Sequence, residues 1–137
     1  MDAEGRIESV EQDLGFVVDT AYASLEGFRE RLLDEDVLDV LLDAEDIAVE
    51  MYMAEQLEVL LRDDGPHDLG EWVARLTEIA EDAERALMNS VPFDGLTATI
   101  YSGLFEWATA IAKYKAQVRL TRHCREWVAL LRGEVEA

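Results

Sequence analysis

The sequence predicts an all-α protein: an up-and-down antiparallel four-helix bundle with a long C-terminal helix. Apolar residues recur at spacings of three and four along four long stretches. Two prolines and eight glycines in 137 residues are too few turn formers for a β-rich fold. The breaks between the stretches are short, and short connections join antiparallel neighbours.

The first helix is expected over about residues 6–33, with Val10, Leu14, Val17, Ala21, Leu25, Phe28 and Leu32 on its inner stripe. Gly15 and Gly27 weaken it, each by about 1 kcal/mol relative to alanine. Asp34-Glu35-Asp36 either separates it from the second helix or forms a polar kink in one longer helix. The second helix is expected over about 36–62, on Val40, Ala44, Ile47, Met51, Ala54, Leu57 and Leu61. Gly65 and Pro66 then break the chain. Asp68 reads as an N-cap, with Glu71 three residues on completing a capping box. The third helix follows over about 69–89, on Leu69, Trp72, Leu76, Ile79, Ala83 and Leu87. Ser90 to Asp94 reads as a turn. The last helix is expected from near Asp94 to about Arg132, about 57 Å if unbroken.

Residues 96–112, LTATIYSGLFEWATAIA, carry Glu106 as their sole charge. A membrane span needs about 20 apolar residues. This stretch is shorter and holds Thr97, Thr99, Ser102 and Thr109, so it reads as a buried bundle helix. On the last helix, Trp107, Ile111, Tyr114, Val118 and Val128 are expected to lie mostly on a different face from Lys115, Arg119 and Arg122.

The length and a half-apolar composition fit a single helical domain over 1–137. The one cysteine, Cys124, has no internal disulfide partner, and the acidic N-terminus is unlike a secretion signal, so a reducing cytoplasm is expected. Asp and Glu number 31, against 12 cations of which two are lysine. Excess surface carboxylate with little lysine suits a high-salt cytoplasm, where salt screens self-repulsion. A halophilic source is therefore expected, and the acidity reads as a property of the whole surface.

Charge is unevenly distributed. Residues 1–112 hold six arginines against 28 acids. Residues 113–132 hold Lys113, Lys115, Arg119, Arg122, Arg125 and Arg132 against Glu126 alone. Lys115, Arg119 and Arg122 share one helical face. They can meet acidic faces of neighbouring helices, dock a protein partner or second copy, or contact phosphate with Tyr114 or Trp127 stacking on bases. A net charge of −19 opposes the nucleic-acid option. In the interface reading, Lys115, Arg119 and Arg122 supply charge, while Trp127, Val128 and Leu131 supply apolar contact.

Two acidic patterns offer other chemistry. Asp36, Asp39, Asp43, Asp46 and Glu50 form a stripe along the second helix, suited to a solvated face, to the basic last helix, or to Mg²⁺ or Ca²⁺. Glu55 with Glu58, and Glu78 with Glu81, are similar to the paired carboxylates of MazG-like nucleotide pyrophosphatases, although the second pair has glutamate where that family has aspartate. The resemblance implies Mg²⁺ held by the four carboxylates around a triphosphate. His67 and His123 fall in no ExxH or HxxxH pair. Cys124 reads as a small buried apolar residue rather than a nucleophile.

Leu41 to Tyr52, LLDAEDIAVEMY, and Leu76 to Val91, LTEIAEDAERALMNSV, resemble a family of small acidic all-helical proteins from halophilic and methanogenic archaea. The resemblance covers roughly residues 40–114 and implies an archaeal source but no activity. The function expected from the whole is a non-catalytic interaction or regulatory protein, self-associating through its last helix. No cofactor, metal or membrane contact is expected. The alternatives are the Mg²⁺-dependent pyrophosphatase and weak nucleic-acid binding by the basic C-terminal face.

Overall fold

A computed structural model describes residues 2–31, 37–89 and 104–135, with side chains described for 2–30, 39, 43–89 and 111–135. Four α-helices make up almost all of this. They are α1 (Ala3–Arg31), α2 (Val37–Leu57), α3 (Leu69–Asn89) and α4 (Leu104–Leu131), and a 3-10 turn, Glu58–Leu61, extends α2. No strand occurs among the described residues. The polar connection after α1, the turn at 90–94 and the start of the last helix at 94 lie outside them.

Helix ends follow local chemistry. Asp2 caps α1, its Oδ1 accepting from the Gly5 amide at 2.8 Å. Asp68 Oδ1 caps α3 by accepting from the Glu71 amide at 2.8 Å. The Glu71 carboxylate reaches back, but one residue further than in a capping box, and accepts from the His67 amide at 2.8 Å. Gly65 makes the preceding turn possible. A Cβ there would lie 2.6 Å from the Leu60 carbonyl oxygen and 2.9 Å from that of Arg62. Gly133, with φ +75°, closes α4. Its amide donates to Leu130 and the Glu134 amide to Ala129, the paired bonds of a Schellman end.

The core draws on all four helices. Val10, Leu14, Val18 and Ala21 come from α1, and Val49, Met53, Ala54 and Leu57 from α2. Trp72, Leu76, Ala80 and Ala83 come from α3, and Ala112, Ala116, Leu120, Cys124, Trp127 and Leu131 from α4. α4 packs on each of the other three helices, most extensively on α3. Its small core residues, Ala112, Ala116 and Cys124, let those neighbours approach closely.

Two expected stripes are corrected. On α2, Leu61 is exposed and Leu60 takes the inner place. An α-helix returns to the same face after about 3.6 residues, whereas the 3-10 turn returns after three. Leu60, not Leu61, therefore follows Leu57 inward. On α4, Tyr114 and Val118 are 39% and 41% exposed and lie beside the basic residues rather than on a separate face. The small residues one turn-face away are inside instead. No helix among the described residues is long and apolar enough to cross a membrane.

Candidate functional site

α4 carries two apolar stripes, and this shapes its surface. The inner one is buried. The outer one presents Tyr114 and Val118 to solvent, with Lys115, Arg119 and Arg122 exposed beside them. Positions 114, 118 and 122 are four apart, so they stack along one face of the helix.

The six cations of the basic segment divide into two sets, three that reach neighbouring helices and three, Arg119, Arg122 and Arg132, that pair with no carboxylate among the described residues. Lys115 Nζ lies 2.6 Å from Glu45 Oε1 of α2. That oxygen is shielded from solvent and accepts no well-formed hydrogen bond. Arg125 pairs with Glu84 of α3. Lys113 sits over the Tyr52 ring, 5.7 Å from its centroid. These three tie α4 to its neighbours. Arg119 and Arg122 are different: no carboxylate among the described residues pairs with either. Lys115 is thus drawn toward the fold, and Arg119 and Arg122 remain the outward cations of the expected patch.

The apolar half of that patch is corrected. Trp127 is 5% exposed, Val128 is buried, and Leu131 is wholly inside. All three belong to the chain's own core and have no surface to offer a partner. Tyr114 and Val118 occupy the place beside Arg119 and Arg122 instead. The sequence contained the signal, because two apolar series four apart run along α4 on different faces.

Next to this patch, His123 stacks on Trp127 with ring centroids 5.5 Å apart and planes 27° apart. Partial burial pushes its pKa below the ordinary histidine value; nearby Glu126 opposes the shift, and Arg122 and Arg119 reinforce it. Cys124 is fully buried, and desolvation pushes its thiol up to about 12. It is a core residue without nucleophilic character.

The paired carboxylates do not assemble. Glu58 accepts a 2.5 Å hydrogen bond from the Tyr22 hydroxyl and lies 3.9 Å from Arg62. That bond, with the Glu58 charge behind it, raises the Tyr22 pKa. Glu55, Glu78 and Glu81 are exposed. Among the described residues no three acids, histidines or cysteines gather as a metal-holding group. The four glutamates therefore do not form the site that the pyrophosphatase reading requires. Of the acidic stripe, Asp36 is outside the described residues. Asp43, Asp46 and Glu50, together with Ile47, line a cleft of about 250 Å³ against Ala23, Ser24 and Gly27 of α1. Sequence reading missed Glu45 and Glu84 as partners of the basic helix, since nothing local distinguishes them among so many acids.

Comparison with protein families, curated proteins and solved structures finds no match to this chain.

Proposed function

We propose that this protein is a non-catalytic interaction module that self-associates through the outer face of α4. The observation carrying this is the pairing of two arginines without a partner among the described residues, Arg119 and Arg122, with two exposed apolar side chains, Tyr114 and Val118, on a basic helix face of a chain whose net charge is −19. Aromatic, apolar and arginine side chains are the groups that anchor protein contacts.

The bundle behind this face is up-and-down. Supporting this, Ala23 to Gly27 of α1 face Asp43 to Glu50 of α2, while the earlier Tyr22 reaches the later Glu58. Arg6 meets Leu131, and Asp13 acts on His123, so α1 runs against α4 as well. A high-salt, reducing cytoplasm is the compartment this reading implies, supported by the acid excess and the lone buried cysteine.

Sedimentation of the purified chain in about 0.1 M salt tests the proposal. An oligomer that dissociates on Arg119→Glu with Arg122→Glu, and on Tyr114→Ala with Val118→Ala, is the expected result. A monomer for wild type at all concentrations overturns self-association. If wild type instead shifts a labelled oligonucleotide and Arg119→Glu abolishes the shift, the face serves nucleic acid.

A further inference from the structure

We infer that the acceptor for the α4 face is the acid-lined cleft between α1 and α2 of a second copy, an inference that rests on the self-association proposed above. The argument starts from sign. Arg119 and Arg122 are exposed cations without partners among the described residues, so pairing α4 with α4 across a two-fold axis sets like charges together. The complement has to be acidic and shaped to take a long side chain.

The α1–α2 cleft has both properties. Its volume of about 250 Å³ far exceeds the space one water needs, about 10–15 Å³. Its α1 wall is Ala23, Ser24 and Gly27, which bring almost no side chain into it. Asp46 stands exposed on the opposite wall. Glu50 Oε2, also in that wall, is shielded from solvent and accepts no hydrogen bond from the described residues. A shielded carboxylate oxygen without a donor is costly, and a guanidinium brings five donors in a planar fork that fits carboxylates. Arg119 or Arg122 of a second copy, entering the cleft beside the exposed Asp46, brings guanidinium donors to that carboxylate and offsets the charge of Glu50 behind it. Tyr114 and Val118 then rest on the rim around the inserted arginine, excluding water from it.

Donor and acceptor are different surfaces of the same chain, which makes the contact separable by mutation. Asp46→Arg and Ala23→Arg each place a cation in the cleft from an exposed position on opposite walls. Each is expected to weaken self-association at least about tenfold while leaving the helical circular-dichroism spectrum unchanged. Arg119→Glu with Arg122→Glu does the same from the donor side. An equimolar mixture of the Asp46→Arg chain and the Arg119→Glu/Arg122→Glu chain regains a complex in sedimentation, because one retains the donor and the other the acceptor. If both cleft variants associate like wild type while the arginine variant does not, the cleft is overturned and the α4 reading stands. If the arginine variant also associates like wild type, both fall.

Discussion

Arg6 donates from Nη1 to the backbone carbonyl of Leu131, 3.3 Å away and 125 positions along the chain. Leu131 is the last residue of α4, where carbonyls lack intrahelical partners and the helix dipole is negative. A guanidinium there satisfies one orphan acceptor and complements the dipole. Gly133 completes the arrangement, since a Cβ at that position would sit 3.1 Å from the same Nη1. The first turn of α1 thus holds the end of the basic helix.

Arg6→Ala is therefore expected to destabilise the fold by about 1–2 kcal/mol, from a charged hydrogen bond and the dipole together. Gly133→Ala costs about 1–2 kcal/mol from its positive φ alone, and more because it displaces Arg6. The two effects overlap. In urea titrations Gly133→Ala should cost less in the Arg6→Ala background than in wild type. Strict additivity would show that the contact has no energetic weight.

Gly65 is the second backbone-determined position. Its virtual Cβ meets backbone oxygens on both near contacts, and backbone cannot rotate aside as a side chain does. Gly65→Ala is expected to cost about 1–3 kcal/mol, a drop in Tm of about 3–4 °C for each kcal/mol. Gly15→Ala is the control. Nothing lies within 4 Å of a Cβ there, so it should raise Tm through helix propensity.

These positions show which parts of the molecule the sequence disclosed. α3 has the cleanest single apolar stripe, and its range and inner residues Trp72, Leu76 and Ala83 follow from spacing alone. On α2, Ile47, Ala54 and Leu57 follow from spacing, but Val49 and Met53 are also inside, and after Leu57 the change to a 3-10 turn shifted the phase by one residue. The α4 residues expected at an interface, Trp127, Val128 and Leu131, go to the chain's own core instead. Beside Leu120, the first half of the α4 core stripe consists of Ala112, Ala116 and Cys124, small residues with weak hydrophobic signal, while the stronger signals Tyr114 and Val118 face outward. The contacts Arg6–Leu131, Lys115–Glu45 and Arg125–Glu84 join residues far apart in sequence, and no local pattern specifies such pairs.

Folding should hold His123 neutral. Its pKa in the fold lies below the ordinary 6.5, so the unfolded chain takes the proton first as pH falls. The stability this contributes is complete above about pH 6.5 and is lost as pH drops from there through the folded value. The groups around the ring are Glu126, Arg122 and Arg119 on α4 and Asp13 on α1. His123→Gln removes the titration and keeps a flat polar side chain. The Tm difference between wild type and this variant should change between pH 7 and pH 5, wild type losing ground as acid is added. A constant difference would show that the ring does not titrate differently in the two states.

Salt should act in opposite directions on folding and on assembly. Most of the chain is negative, with 28 acids against six arginines before residue 113, so folding concentrates like charge. Added KCl screens that repulsion, the Debye length falling from about 10 Å at 0.1 M to about 3 Å at 1 M. The Tm of the Arg119→Glu/Arg122→Glu variant is therefore expected to rise across that range. The intramolecular pairs Lys115–Glu45 and Arg125–Glu84 weaken under the same screening, but they are two attractive contacts against a surplus of repulsive ones. The proposed contact between copies would depend on few charges of opposite sign, and its association constant should fall over the same range. Light scattering and calorimetry on one dilution series in KCl read both quantities. A Tm that falls with salt would mean that local ion pairs, rather than net charge, govern stability. An association constant that rises with salt would mean that Tyr114 and Val118, rather than the arginines, supply most of the contact.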